Sequence, residues 1–391
     1  MSYIKECMLI FINSVIAFIS SFNKLDEKRV VITSTQNISY NFNSKYFFEY
    51  LNESSEWRGF SVFYVINNDA KCRELNSTYN TDRFISSQSF KGALFCLGAK
   101  FWISSTFELP VNSLYRNSQR IVLHLGHGVP LKKIGLNEEQ VSFLKKINRL
   151  IRTRQFTDIV CYSPELKNSM VKTFANEDAN YIFMGQPRND GLIVNKVSIR
   201  ERVLEMAGLH SSDTVRIVLY APTWRPYAST CFFPFEVDAS ELDELLRSNN
   251  IYIFLRSHPF YPSKIERNII DLPNIISFNS NIAPEICDYL GAFDSLITDY
   301  SSIYIDYLIA DRKIGFIPYD KDEYIKKVGF CYDYEQFTPG AKIHDYTDLV
   351  DFLLSDEDLS KDHREKIRKV TNTKASGNCY EISKYLKNKI N

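Results

Sequence analysis

The chain has 391 residues, of which 45% are hydrophobic and 14% aromatic, and its 47 basic and 47 acidic side chains leave a formal net charge of zero. The length allows two domains of ordinary size, and the apolar content excludes global disorder. The charge balance excludes a general polyanion binder, since nucleic-acid modules carry a basic excess.

The first 25 residues read as an apolar helix. CMLIFINSVIAFI, Cys7 to Ile19, is interrupted by Asn13 and Ser14 and falls short of the ~20 residues a membrane-spanning helix needs. Lys5 is followed at once by Glu6 and no small-x-small site follows, a poor signal peptide. A helix lying in the membrane interface fits best; a helix packed on the domain is the alternative.

From Arg29 the pattern changes. RVVITST reads as a buried strand, with a helix near Lys45 to Leu51, and FSVFYVIN, FKGALFCLGAKFWISS, RIVLHLGHG, TDIVCYSPE and NYIFMGQPRND continue the alternation of strand and helix. A polar, helix-prone stretch starts at Gly191, and then TVRIVLYAPTW, SELDELLRSNN, IYIFLRSHPF, NIISFNS, APEICDYLGAF, DSLITDYSS and KIGFIPYD restart it. Alternation of this kind predicts an α/β fold of two Rossmann-type, doubly wound parallel-sheet domains, over residues 26–195 and 196–391. Ligands of such sheets sit at the carboxyl ends of strands, so the residues of interest are those that follow strands.

The first strand-end turn with chemical content is VLHLGHGVPLKKIG, Val122 to Gly135. His127 stands between Gly126 and Gly128, where glycines let a ligand approach the backbone, and an imidazole takes a proton near neutral pH. Lys132 and Lys133 add positive charge; His124 is read as structural, on the strand itself. Farther on, LYAPTWRPY offers Thr223 as a hydroxyl donor and Arg225 as a fork for phosphate. FLRSHPF places His258 before Pro259, with Arg256 on the same strand face. In DSLITDYSSIYIDYLIADR, Asp299, Ser301 and Ser302 stand where a helix over residues 303–310 begins, an arrangement suited to a diphosphate; a simple helix cap is the competing reading. YDKDEY, with Asp320 and Asp322, reads as a solvated turn. No metal set, no Walker-type GxxxxGK[ST] loop and no CxxC pair occurs, so the expectation is chemistry without metal or cofactor, and reduced thiols in a cytosolic setting.

Taken in order, GHGVPLKKIG, GQPRND, APTWR, RSHP, TDYSS…IDY and YDKDEY…GFCYDY…PG resemble the CDP-glycerol glycerophosphotransferases, which build teichoic acids and related capsule polymers, over about Arg29 to Gly340. The resemblance implies a GT-B-like fold with two domains facing across a cleft. It implies transfer of a polyol phosphate from a CDP-alditol, glycerol being the first expectation, to an acceptor hydroxyl with release of CMP. It implies His127 as candidate general base and His258 as a second essential histidine near the diphosphate. Ser301 and Ser302 match the phosphate pair, Thr223 and Arg225 the nucleotide side, and Arg188, Asn189 and Asp190, with Gly128, Lys132 and Lys133, the acceptor or interdomain side. The implied partners are a CDP-alditol, a lipid-linked or polysaccharide acceptor and the inner face of the cytoplasmic membrane. The chain departs from the family in having Gly126 where a tryptophan is usual, Val129 for a threonine, Ser376-Gly377 for Asp-Gly, and Tyr380 near a common arginine. Two rival readings use the same turns: a GT-B glycosyltransferase acting on a nucleotide sugar, and a non-catalytic membrane-associated assembly protein.

Overall fold

A computed structural model describes residues 3–139, 141–192, 196–209, 215–257 and 263–390. The chain divides into two compact units. The first comprises Met1–His127, Ile134–Asp190 and Ser376–Asn391; the second comprises Gly128–Lys133 and Gly191–Ala375. The division expected at 195/196 therefore falls at 190/191, and two short segments cross it: the residues after His127, and the last helix.

The first unit is built on seven parallel strands: β1 (Asp26–Thr33), β2 (Ser61–Val65), β3 (Phe84–Ile85), β4 (Ala99–Ser104), β5 (Ile121–His124), β6 (Asp158–Val160) and β7 (Asn180–Ile182). Their spatial order is β3-β2-β1-β4-β5-β6-β7. β1 carries Val30, Val31 and Ile32 with no exposed surface, as expected of a strand covered on both faces. Its register sets Val30 opposite Val62 on one side and Phe101 on the other. The order reverses between β1 and β4, so the loops after those strands diverge and leave a crevice.

In the second unit the strands are β8 (Arg216–Tyr220), β9 (Thr230–Cys231), β10 (Ile251–Leu255), β11 (Ser263–Lys264), β12 (Ile275–Ser277), β13 (Ser295–Thr298), β14 (Lys313–Phe316) and β15 (Ala341–Lys342). Six of them form a parallel sheet in the order β12-β10-β8-β13-β14-β15, and β9 pairs with β11 alone. Val218, Tyr220, Leu242, Leu246, Ile253, Ile297 and Leu349 pack as one apolar core against this sheet. Here the order reverses between β8 and β13, the two strands followed by Thr223–Arg225 and by Asp299–Ser302.

The apolar amino-terminus is a helix, Tyr3–Ser20. Ile10 and Ala17 are buried. Asn13 donates from Nδ2 to the carbonyl of Asn112 (3.1 Å), and the Ser14 hydroxyl accepts from the Leu114 amide (2.8 Å). The two polar residues that interrupt the apolar run thus help to fasten it to the first unit, beside buried Ile10 and Ala17.

Candidate functional site

In the first unit the geometry centres on His127. β5 ends at His124, and Gly126 follows in the left-handed region at φ +72°. A side chain there would place its Cβ 1.8 Å from the Tyr162 hydroxyl, so only glycine fits. The Gly126 amide donates to Nδ1 of His124 (2.9 Å). Asn43, buried in the first turn of the helix Phe42–Glu53, donates from Nδ2 to the Gly126 carbonyl (2.7 Å). Its Oδ1 accepts from the Arg188 amide (3.1 Å), and Nη1 of Arg188 donates to the His127 carbonyl (2.9 Å). The peptides flanking His127 are held from both sides.

The ring of His127 is half-buried, and Nδ1 lies 2.9 Å from the carbonyl oxygen of Ser105, which follows β4. A carbonyl only accepts, so Nδ1 carries the proton and the lone pair of the neutral ring is on Nε2. Ser105 is itself fixed, its hydroxyl accepting from the Ser44 amide (2.6 Å). This is the tautomer a general base needs, oriented by a second group.

Arg188 thus acts on the backbone of His127. Asn189 is fully buried, and neither end of its amide has a partner among the described residues. Asp190 is occupied: its carboxylate accepts from the amides of Asn378 (2.9 Å) and Cys379 (2.8 Å) and from the Asn378 side chain (2.6 Å). It caps the helix Asn378–Asn388, so the residue that the sequence sets on the acceptor or interdomain side is engaged within the first unit.

Gly128, Lys132 and Lys133 belong to the second unit. Their segment pairs with Gly329–Cys331: the Lys133 amide donates to the Gly329 carbonyl (3.0 Å) and the Cys331 amide to the Leu131 carbonyl (2.8 Å). Nζ of Lys132 lies 5.6 Å from the centre of the Trp224 ring, a cation–π contact.

The turn after β8 differs from its expected role at one residue. The Arg225 side chain has no exposed surface and contacts two carboxylates, Nη1 to Asp299 (2.5 Å) and Nη2 to Asp320 (2.7 Å). Nε reaches the second oxygen of Asp320 (3.0 Å), and the hydroxyls of Tyr227 (2.9 Å) and Tyr300 (3.0 Å) donate to the same carboxylate. Burial pulls the pKa of Arg225 down, but the Asp299 charge and the Asp320 hydrogen bond outweigh it and hold the pKa above the ordinary value. At Asp320 burial acts upward, and the hydrogen bond and charge of Arg225 prevail and lower it. Arg225 therefore braces two loops rather than forking onto a phosphate, and Asp320 is a half-buried, ion-paired partner rather than part of a solvated turn. Arg256 is likewise engaged: its guanidinium donates to the carbonyls of Phe278 (3.2 Å) and Ala283 (2.5 Å), anchoring the loop beyond β12.

Thr223 keeps a side-chain donor that the described residues do not use. Its amide donates to Asp299 Oδ1 (2.7 Å), and its buried hydroxyl has no partner among the described residues. Asp299 acts on the protein itself, through Thr223 and Arg225. Ser301 and Ser302 are half-buried, and Ser301 Oγ accepts from the Ile303 amide (3.4 Å). The helix behind them is shorter than the sequence suggests, Ile303–Tyr307, with 308–310 finishing in tight turns. So short a helix carries little dipole, and what the turn presents is its hydroxyls and first-turn amides. His258 lies outside the described residues.

Asn43, Ser105 and Tyr162 go unmarked in the sequence, although Ser105 and Tyr162 do stand just after strands. Asn43 is in a helix and Tyr162 follows β6, which carries no other candidate. Only the contrast of a buried Asn in an aromatic stretch, NFNSKYFF, marks Asn43 in the text of the chain.

The sequence profile of the family described as CDP-Glycerol:Poly(glycerophosphate) glycerophosphotransferase matches residues 15–380. The chain is 25% identical over 359 residues to the teichoic acid glycerol-phosphate transferase of Staphylococcus aureus (strain NCTC 8325 / PS 47), covering 88% of each chain. It is 24% identical over 377 residues to the teichoic acid glycerol-phosphate primase of Bacillus subtilis (strain 168), covering 92% of this chain and 91% of that one. Among solved structures, the wall teichoic acid polymerase TagF matches with a TM-score of 0.75 at 20% identity, over 99% of this chain and 96% of that chain. That likeness carries the fold, two parallel-sheet α/β domains of GT-B-like type.

Proposed function

The chain belongs to the CDP-Glycerol:Poly(glycerophosphate) glycerophosphotransferase family, and from that premise we propose that it transfers glycerol phosphate from CDP-glycerol to a hydroxyl of a growing envelope polymer. The acceptor oxygen bonds to the phosphorus that carries the glycerol, the bond from that phosphorus to the CMP oxygen breaks, and CMP leaves with the electron pair. Nε2 of His127 takes the acceptor proton. The observation that carries this reading is the hydrogen bond from Nδ1 of His127 to the Ser105 carbonyl, which leaves the lone pair on Nε2. The orphan hydroxyl of Thr223, with Ser301 and Ser302, supplies neutral donors for the donor's phosphates. His258 is assigned to the same phosphates by its motif, and the transfer is proposed to need no metal.

The working place in this reading is the inner face of the cytoplasmic membrane, with a lipid-linked or polysaccharide acceptor. The amino-terminal helix supports it. Met8, Leu9, Phe11, Ile12, Val15, Phe18 and Ile19 are exposed, Phe11 at 67%, and no charged residue interrupts them. No helix of the described residues is long and apolar enough to cross a membrane. A second support is the helix Phe143–Thr153, which exposes Phe143 (75%), Leu144 and Ile147 beside Lys145 and Lys146. Apolar faces flanked by cations suit an anionic lipid surface.

The test is release of CMP from CDP-glycerol by purified protein with a lipid-linked acceptor, with and without EDTA. His127→Ala should lower kcat by at least ~100-fold with little change in KM for the donor. Release of a nucleoside diphosphate from a nucleotide sugar, with no turnover of any CDP-alditol, would overturn the reading in favour of a sugar transferase.

A further inference from the structure

His124 is the buried titratable group that the scheme above does not use. It closes β5 with 3% of its surface exposed, and the rings of Phe156 and Phe174 meet it edge-on at 4.9 and 4.6 Å, with Phe107 at 6.0 Å. Burial first, and then the neighbouring His127 imidazole, hold its pKa well below the ordinary histidine value, so it stays neutral. Its Nδ1 accepts from the Gly126 amide, which places its one proton on Nε2. That Nε2 has no hydrogen-bond partner among the described residues.

This is an unfavourable residue for such a box on packing grounds alone. A phenylalanine has a similar shape, suits the aromatic walls, and would remove a buried N–H that nothing accepts. The one thing imidazole supplies that phenylalanine does not is the Nδ1 lone pair for the Gly126 amide. That amide belongs to the residue before His127, in a left-handed conformation whose carbonyl is already held by Asn43. Losing the acceptor frees one side of the turn and leaves the other fixed.

We infer that His124 is a positioning residue for the transfer reaction: through Nδ1 and the Gly126 amide it sets the turn that aims the His127 imidazole. The inference rests on the reading of His127 as the base. It separates stability from rate, which a purely structural role would not do. A misplacement of ~1 Å at a reacting group costs up to ~100-fold in rate.

The experiment compares wild type, His124→Phe, His124→Asn and His127→Ala in melting temperature and in kcat and KM for CDP-glycerol by CMP release. His124→Phe should melt at or above the wild-type temperature, lose about 10- to 100-fold in kcat, and keep its donor KM within about twofold. His124→Asn, whose Oδ1 stands where Nδ1 stood, should recover most of kcat despite poorer packing. If His124→Phe does not fold, His124→Leu takes its place on the same criteria. An apolar variant with kcat within twofold of wild type, alongside a dead His127→Ala, overturns this inference and leaves the base in place. Parallel loss of kcat and melting temperature in both His124 variants overturns it in favour of a packing role. Full activity in His127→Ala removes the base reading, and this inference with it.

Discussion

Gly126→Ala tests how the turn before His127 is held. Two costs act at that position. An L side chain at φ +72° sits in the left-handed region, at about 1–2 kcal/mol. Its Cβ would also stand 1.8 Å from the Tyr162 hydroxyl and 2.8 Å from the ring carbon bearing it. Tyr162 is buried with its hydroxyl 3.4 Å from the Leu125 carbonyl, so it cannot swing aside freely, and overpacking of this kind costs about 1–3 kcal/mol. The expected loss is about 2–5 kcal/mol, a large part of an ordinary domain's stability. The assay is urea unfolding followed by tryptophan fluorescence in a Trp224→Phe background, where the remaining signal comes from Trp57 and Trp102 of the first unit. Combining Gly126→Ala with Tyr162→Ala should return a favourable coupling of about 1–3 kcal/mol, since the double variant removes the collision but not the strained dihedral. A Gly126→Ala protein within 0.5 kcal/mol of its parent, on the order of the usual surface-mutation noise, would refute the steric argument.

Arg225→Met should destabilise by about 3–5 kcal/mol, because it leaves two carboxylates in the protein without their cation. The pH dependence has a fixed sign. Asp320 is lowered from its ordinary 3.8 in the folded protein, so its contribution is complete above that value and is lost as pH falls through the folded pKa. Acid unfolding of wild type below about pH 4 should therefore be blunted in Arg225→Met, and an unchanged acid limb would contradict the pairing. For the membrane contact, Phe143→Ser with Ile147→Ser should weaken sedimentation with vesicles containing anionic phosphatidylglycerol at least about tenfold, as buried apolar area is lost. Wild-type binding should fall when salt is raised from 0.15 to about 0.5 M. Binding equally strong to neutral and anionic vesicles would rule out a role for Lys145 and Lys146.

The backbone order was largely legible in the text of the chain. Strands such as RVVIT and SLIT are apolar on both faces, and short runs of that kind between helices leave few alternatives to a parallel sheet. The turns after β5, β8 and β13 were legible for the same reason, as polar and glycine-rich residues ending apolar runs. What those polar groups touch was not. Arg225 and Asp320 are 95 positions apart, and Asp190 and Asn378 are 188 apart. Nothing local distinguishes an arginine offered to a ligand from one neutralised by a distant loop. Asn43 is hidden differently, in a helix that begins three residues before the Lys45 at which the sequence starts it. The helix Phe143–Thr153 did carry a signal, FLKKINRLIRT, with apolar and cationic residues on a 3.6 period, but it is not a strand end.

The return of the last helix to the first unit gives the chain an order of completion. The ribosome delivers residues 191–375 before it delivers the sixteen that close the earlier half. During synthesis the later half can reach its native form while the earlier one still lacks a wall, with the Asp190 carboxylate facing no amide. A protein clipped near Ser376 would therefore fail far from the cut, in the half that contains His127.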